Sequence, residues 1–175
     1  MAMKSDPHID RGADISECGK YRYRLWRMWD DGKEGLLGFI MLNPSTADAD
    51  TDDPTIRKCI GFARRFGYDG IMVTNLFAFR ATNPAELKTA YEPVGRDNHV
   101  FLETEAKTCD RTICAWGTNG ALKKRGEVVI EKLRKQDGAP RLRHLGLTKD
   151  GHPRHPLYLP YAETDMQLFS FQRGL

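Results

Sequence analysis

Residues 21–29 read YRYRLWRMW, large apolar side chains alternating with arginine. That period of two predicts a half-buried strand. The run LLGFIMLN at 36–43 is apolar at successive positions, which suits a central strand covered on both faces. With DDGKEG as the turn between them, the two strands are expected to pair as a hairpin. A polar loop follows, and then Asp53 and Pro54 stand where an N-cap and a first helical residue belong. Ile56, Ile60, Ala63 and Phe66 share one helical face, and Gly67 closes the helix. GIMVTNLFAF (70–79) and RTICAWG (111–117) predict further buried strands, and PRLRHLGL (140–147) a fourth short one. Between them lie a short helix at 83–90, a longer one at 95–109 and an amphipathic one at 121–136. HPRHPLYLP (152–160) is extended and punctuated by proline.

Strands alternating with helices of this length imply right-handed crossovers and a mostly parallel sheet. The expectation is a three-layer αβα fold, with a central sheet of about four strands and an added N-terminal β-hairpin. Residues 1–19 are polar and are read as a loose segment, and 20–175 as one domain. At 175 residues the chain is long enough to bury a core of its own.

Composition adds mainly exclusions. The net charge of +3 is too mild to argue for nucleic acid unless basic residues cluster on one face. Cys18, Cys59, Cys109 and Cys114 show no CxxC spacing and are read as free thiols of a reducing compartment. No apolar run approaches the roughly 20 residues that span a membrane, and the N-terminus lacks a signal-peptide core. A cytoplasmic protein without a cofactor, a membrane or an evident obligatory protein partner is expected.

In open parallel sheets the site lies at the carboxyl ends of the strands. Here those ends carry Asn43-Pro44-Ser45, Asn75, Trp116-Gly117-Thr118-Asn119, and the segment holding His152, Arg154 and His155. Their convergence on one rim is the main physical argument for a site. An asparagine at a strand end can hold a water or a ligand edge, or simply close a β-turn. Two histidines within four residues suit anion stabilisation or proton transfer. Asp48, Asp50 and Asp52 start like a calcium loop, but the sixth and twelfth positions are Asp53 and Cys59 instead of glycine and glutamate. No metal is assigned. Lys123, Lys124, Arg125, Arg141 and Arg143 lie in a basic run that is either a solvated face or a contact to phosphates.

MLNPSTADADTDDPTIRKC, VTNLFAFRATNP, AWG and GHPRHPLYLP together resemble the domain-of-unknown-function family 1643 of bacterial and phage proteins, over about residues 20–160. A more remote similarity is to the uracil-DNA glycosylase superfamily. Asn43-Pro44 resembles its Asn-Pro motif, Thr74-Asn75 its base-reading asparagine, Trp116-Gly117 a later Trp-Gly, and His155-Pro156-Leu157 its His-Pro motif. Ser45 and Leu157-Tyr158 depart from the residues usual there. The resemblance implies a glycosylase-like fold and action on DNA or a nucleotide. Asn43 would hold the attacking water and His155 would stabilise the departing base. Asn75 would read the base edge, with Phe77 or Phe79 stacking on it. Pro44, Ser45, Trp116 and His152 would complete the pocket, Arg154 and the basic run would hold phosphates, and Leu157 or Tyr158 would fill the vacated stack. Three readings stay open: an N-glycosidic-bond hydrolase, a non-catalytic nucleic-acid or nucleotide-binding module, and a magnesium-dependent phosphoryl enzyme.

Overall fold

A computed structural model describes residues 10–169. Seven strands form one mixed sheet in the order β1-β2-β4-β3-β5-β6-β7. They are β1 (Asp10–Ile15), β2 (Arg22–Met28), β3 (Leu36–Met41), β4 (Gly70–Asn75), β5 (Arg111–Cys114), β6 (Leu142–His144) and β7 (Gln167–Leu168). The four central strands β4, β3, β5 and β6 run parallel. The flanking strands β1, β2 and β7 pair antiparallel. Four α-helices accompany them: α1 (Pro54–Arg65), α2 (Glu86–Thr89), α3 (Asn98–Thr108) and α4 (Arg125–Arg134). None of the described helices is long and apolar enough to cross a membrane.

The continuous apolar runs of β3 and β5 exist because both faces of the sheet are covered. Phe39, Met41, Ile113 and Ala115 point into one core with Ile56, Cys59, Phe62 and Ala63 of α1. Ile40, Leu42, Cys114 and Trp116 point the other way, towards Leu102 and Ala106 of α3 and Val129, Ile130 and Leu133 of α4. Helix α1 is set at both ends by its own sequence. Asp53 Oδ1 accepts from the Ile56 N–H at 2.9 Å, and Pro54 takes the first turn, where no N–H is needed. At the other end Gly67 takes φ +81°, and the Gly67 and Tyr68 N–H groups donate to Arg64 O and Ala63 O. That is a Schellman closure, which favours glycine.

Three expectations are corrected. Strand β2 does not pair with β3, because β4 and β5 occupy both edges of β3 and β2 lies on the outer edge of β4. The DDGKEG linker is therefore no hairpin turn but a wrap around the start of β4. The Asp69 carboxylate accepts there from the Asp31 and Lys33 N–H groups at 3.1 and 2.8 Å. The hairpin partner of β2 is β1, which lies in the segment read as loose; residues 1–9 of that segment fall outside the described residues. The expected helix at 121–136 begins as α only at Arg125. Residues Thr118–Lys124 form a tighter 3₁₀ stretch that ends with Lys123 and Lys124 at φ 54° and 53°.

Candidate functional site

The parallel core places the carboxyl ends of β3, β4, β5 and β6 on one rim, and a cleft of about 440 Å³ opens there. Asn43, Ser45, Asn75, Trp116, His155, Leu157 and Tyr158 all line it, from four stretches distant in sequence. Thr118 and Asn119 line it too, and residues not expected there join them: Arg22, Asp53 and Thr55. Arg22 arrives because β2 runs antiparallel to β4, so its first residue meets the last residues of its neighbour. Asp53 arrives as the cap of α1, the helix that follows β3.

Asn75 is 1% exposed, and neither its amide nitrogen nor its amide oxygen has a hydrogen-bond partner. A buried amide left unpaired is costly, and such groups are rare in folded proteins. Its backbone, by contrast, is firmly held. Asn98 Nδ2 donates to Asn75 O at 2.9 Å and to Leu76 O at 3.1 Å, and Arg125 Nε donates to Leu76 O at 2.8 Å. Asn43 is the opposite case. Its Nδ2 donates to Pro44 O at 2.9 Å and Ala81 O at 2.7 Å, which leaves Oδ1 as the atom it offers to a ligand or water.

His155 Nδ1 accepts from the Leu157 N–H at 3.3 Å, so in the neutral ring the proton sits on Nε2. Burial lowers its pKa, partly opposed by the Asp53 carboxylate. The side chain is thus a neutral donor near neutral pH. Arg22 is 3% exposed, and burial lowers its pKa to about 10, with Asp53 opposing and Arg80 adding to the effect. Trp116 is a wall more than a stacking platform. A Cβ on Gly120 would lie 2.0 Å from its Cδ1, and Phe169 meets its ring edge-on at 6.0 Å.

Other expected site residues lie elsewhere. Phe77 is wholly buried in the core against α3 and α4, facing away from any ligand. Phe79 lines a neighbouring groove instead. Pro44 is buried beside the cleft, and its carbonyl accepts from the Ala81 N–H. His152 and Arg154 lie in the turn after β6, bonded through their backbones to Thr148 and Gly146, outside the cleft lining. None of Lys123, Lys124, Arg125, Arg141 and Arg143 lines the cleft. Arg125 is no surface cation at all, since it is 5% exposed and ties α4 to Leu76.

The acidic loop is occupied internally. Arg27, fully buried, bonds Asp52 at 2.7 Å and Asp48 O at 2.7 Å. The Asp48 carboxylate accepts from the Asp50 and Thr51 N–H groups, and Asp53 caps α1. Among the described residues no group of three or more His, Cys, Asp or Glu side chains is placed to hold a metal ion.

The family model "Protein of unknown function (DUF1643)" matches residues 22–157. The chain belongs to that family. The match runs from Arg22 to Leu157, so every residue lining the cleft except Tyr158 falls inside the family's shared region. No curated protein and no solved structure matches the chain.

Proposed function

We propose that this DUF1643 chain acts on a nucleobase, as an N-glycosidic-bond hydrolase of the uracil-DNA glycosylase type. The observation that carries the reading is the buried, unpartnered amide of Asn75 in the cleft. An amide offers a donor and an acceptor side by side, the pattern that a base edge complements. Around it the chemistry divides as follows. Asn43 Oδ1 accepts a hydrogen from water and aims the water's lone pair at the anomeric carbon. As the C–N bond breaks, its electron pair leaves with the base, the water oxygen forms the new C–O bond, and the proton it sheds ends on the departed base. His155 Nε2–H stabilises the developing negative charge on the base oxygen, a contribution made mostly in the transition state. A base within a duplex must first be flipped out, which costs a few kcal/mol of unstacking. Tyr158, 78% exposed, and Leu157 stand at the lip to fill the vacated stack.

The test is incubation with single-stranded and duplex oligonucleotides carrying uracil or another altered base, with abasic sites read by alkaline cleavage. Base release should fall by about 100-fold or more in Asn43→Ala and in His155→Ala. Release unchanged in both variants removes the assignment of this cleft. Salt-sensitive DNA binding without release marks a binding module instead.

A further inference from the structure

Beside the cleft lies a second groove of about 440 Å³, lined by Gly19, Lys20, Ser45, Thr46, Phe79, Arg80, Ala81 and Thr82. Ser45, Ala81 and Thr82 line both spaces, so one ligand can reach across from Asn75. The wall between them is cationic. Arg22 lies on the cleft side, and its Nη1 donates to Ala47 O at 2.7 Å, while its Nε is buried without a partner. Arg80 lies on the groove side, and its Nη1 reaches Gly19 O at 3.3 Å, while its Nε too is buried without a partner. The two arginines line spaces that share Ser45, Ala81 and Thr82, and the Arg80 charge opposes that of Arg22.

Among the described residues no carboxylate forms an ion pair with Arg22 or Arg80. Asp53 and Asp48 act on Arg22 only at longer range, and both are held in place by backbone N–H groups. A guanidinium with a buried N–H and no directly paired carboxylate is costly, and a multi-oxygen anion satisfies two guanidinium forks at once. We propose that Arg22, Arg80 and Lys20 form a phosphate subsite that takes the phosphoryl group of the nucleotide whose base meets Asn75. This rests on the base-directed reading above, and it moves the phosphate contacts from the basic run at 123–143 to the opposite side of the site. Ser45, at the junction, faces the sugar.

Calorimetric titration at matched ionic strength tests this, with the full chain and three kinds of probe. They are 2′-deoxynucleosides with their 5′-monophosphates (uracil included), an oligonucleotide with a central abasic site, and inorganic phosphate. A monophosphate should bind at least ten-fold more tightly than its nucleoside. Arg80→Gln and Lys20→Gln should reduce that preference to about two-fold or less, while Arg80→Lys keeps most of it. Asn75→Ala should weaken nucleoside and monophosphate alike. Tighter binding of the abasic oligonucleotide than of the monophosphates identifies the phosphate as that of a polymer; the reverse identifies a free nucleotide. A phosphate preference that survives both glutamine variants overturns the subsite and leaves the base-directed reading intact. Arg80-dependent binding of inorganic phosphate without nucleoside binding keeps the subsite and overturns the base-directed reading. No binding of any phosphate probe by the wild-type chain overturns the subsite.

Discussion

Asn75 has a stability cost that only a ligand repays. Its side chain makes no hydrogen bond in the free protein, so removing its polarity breaks none. A buried unpaired polar group costs about 1–3 kcal/mol. Asn75→Leu, close in volume and apolar, should therefore raise the urea midpoint, by an amount worth about 1 kcal/mol, and should abolish base release. Lower stability in that variant would mean that the amide supports the fold and not a ligand. At this scale the site was partly legible beforehand. Asn43, Asn75, Trp116 and His155 follow parallel strands, whose ends share a rim whatever the strand order. Arg22 was hidden because its arrival depends on the antiparallel register of β2 against β4. Phe77 was misjudged because past the end of β4 the chain leaves the strand, and alternation no longer reports which way a side chain faces.

Helix α1 couples the sheet to the cleft through Asp53, whose carboxylate caps the helix and also lines the site. The two duties separate by substitution. Asp53→Ala loses the cap and should cost about 1 kcal/mol, whereas Asp53→Asn keeps it to within a few tenths. Both remove the negative charge that opposes burial at His155, so the His155 titration followed by NMR should move further down in both variants. An unmoved titration would show that Asp53 serves the helix alone. The legible elements were those with caps and periodicity of their own, α1 above all. The β2–β3 hairpin failed because a linker's composition does not say whether another strand inserts between its ends. Only the wrap on Asp69 reveals that β4 does. Strand β1 escaped notice because an edge strand with one partner needs little apolar patterning.

Across the whole molecule, three histidines share one electrostatic condition. Burial holds His99, His144 and His155 below the ordinary value of 6.5. Each ring also accepts a hydrogen bond: His99 from Arg125, His144 from the Gly146 N–H and His155 from the Leu157 N–H. Arginine has no acceptor, so His99 must be neutral for that contact to form. As pH falls through 6.5 the unfolded chain takes up protons that the folded one refuses, and stability rises with pH wherever the unfolded state binds more. The contribution is therefore complete above about 6.5 and is lost on acidification through the depressed folded values. Asp48, held below its ordinary 3.8 by the Asp50 and Thr51 N–H groups, loses its contribution in a separate, more acidic window. Urea midpoints should be level from about pH 8 to 7 and fall between about pH 6.5 and 5. Replacing all three histidines by glutamine should flatten that fall. The site should feel it too, because protonated His99 repels Arg125, which helps to hold the turn carrying Asn75. Ligand affinity in the wild type should decline over the same interval, and His99→Gln should restore part of it. Midpoints that stay level or rise on acidification to pH 5 would show that these rings are not the neutral, buried acceptors described.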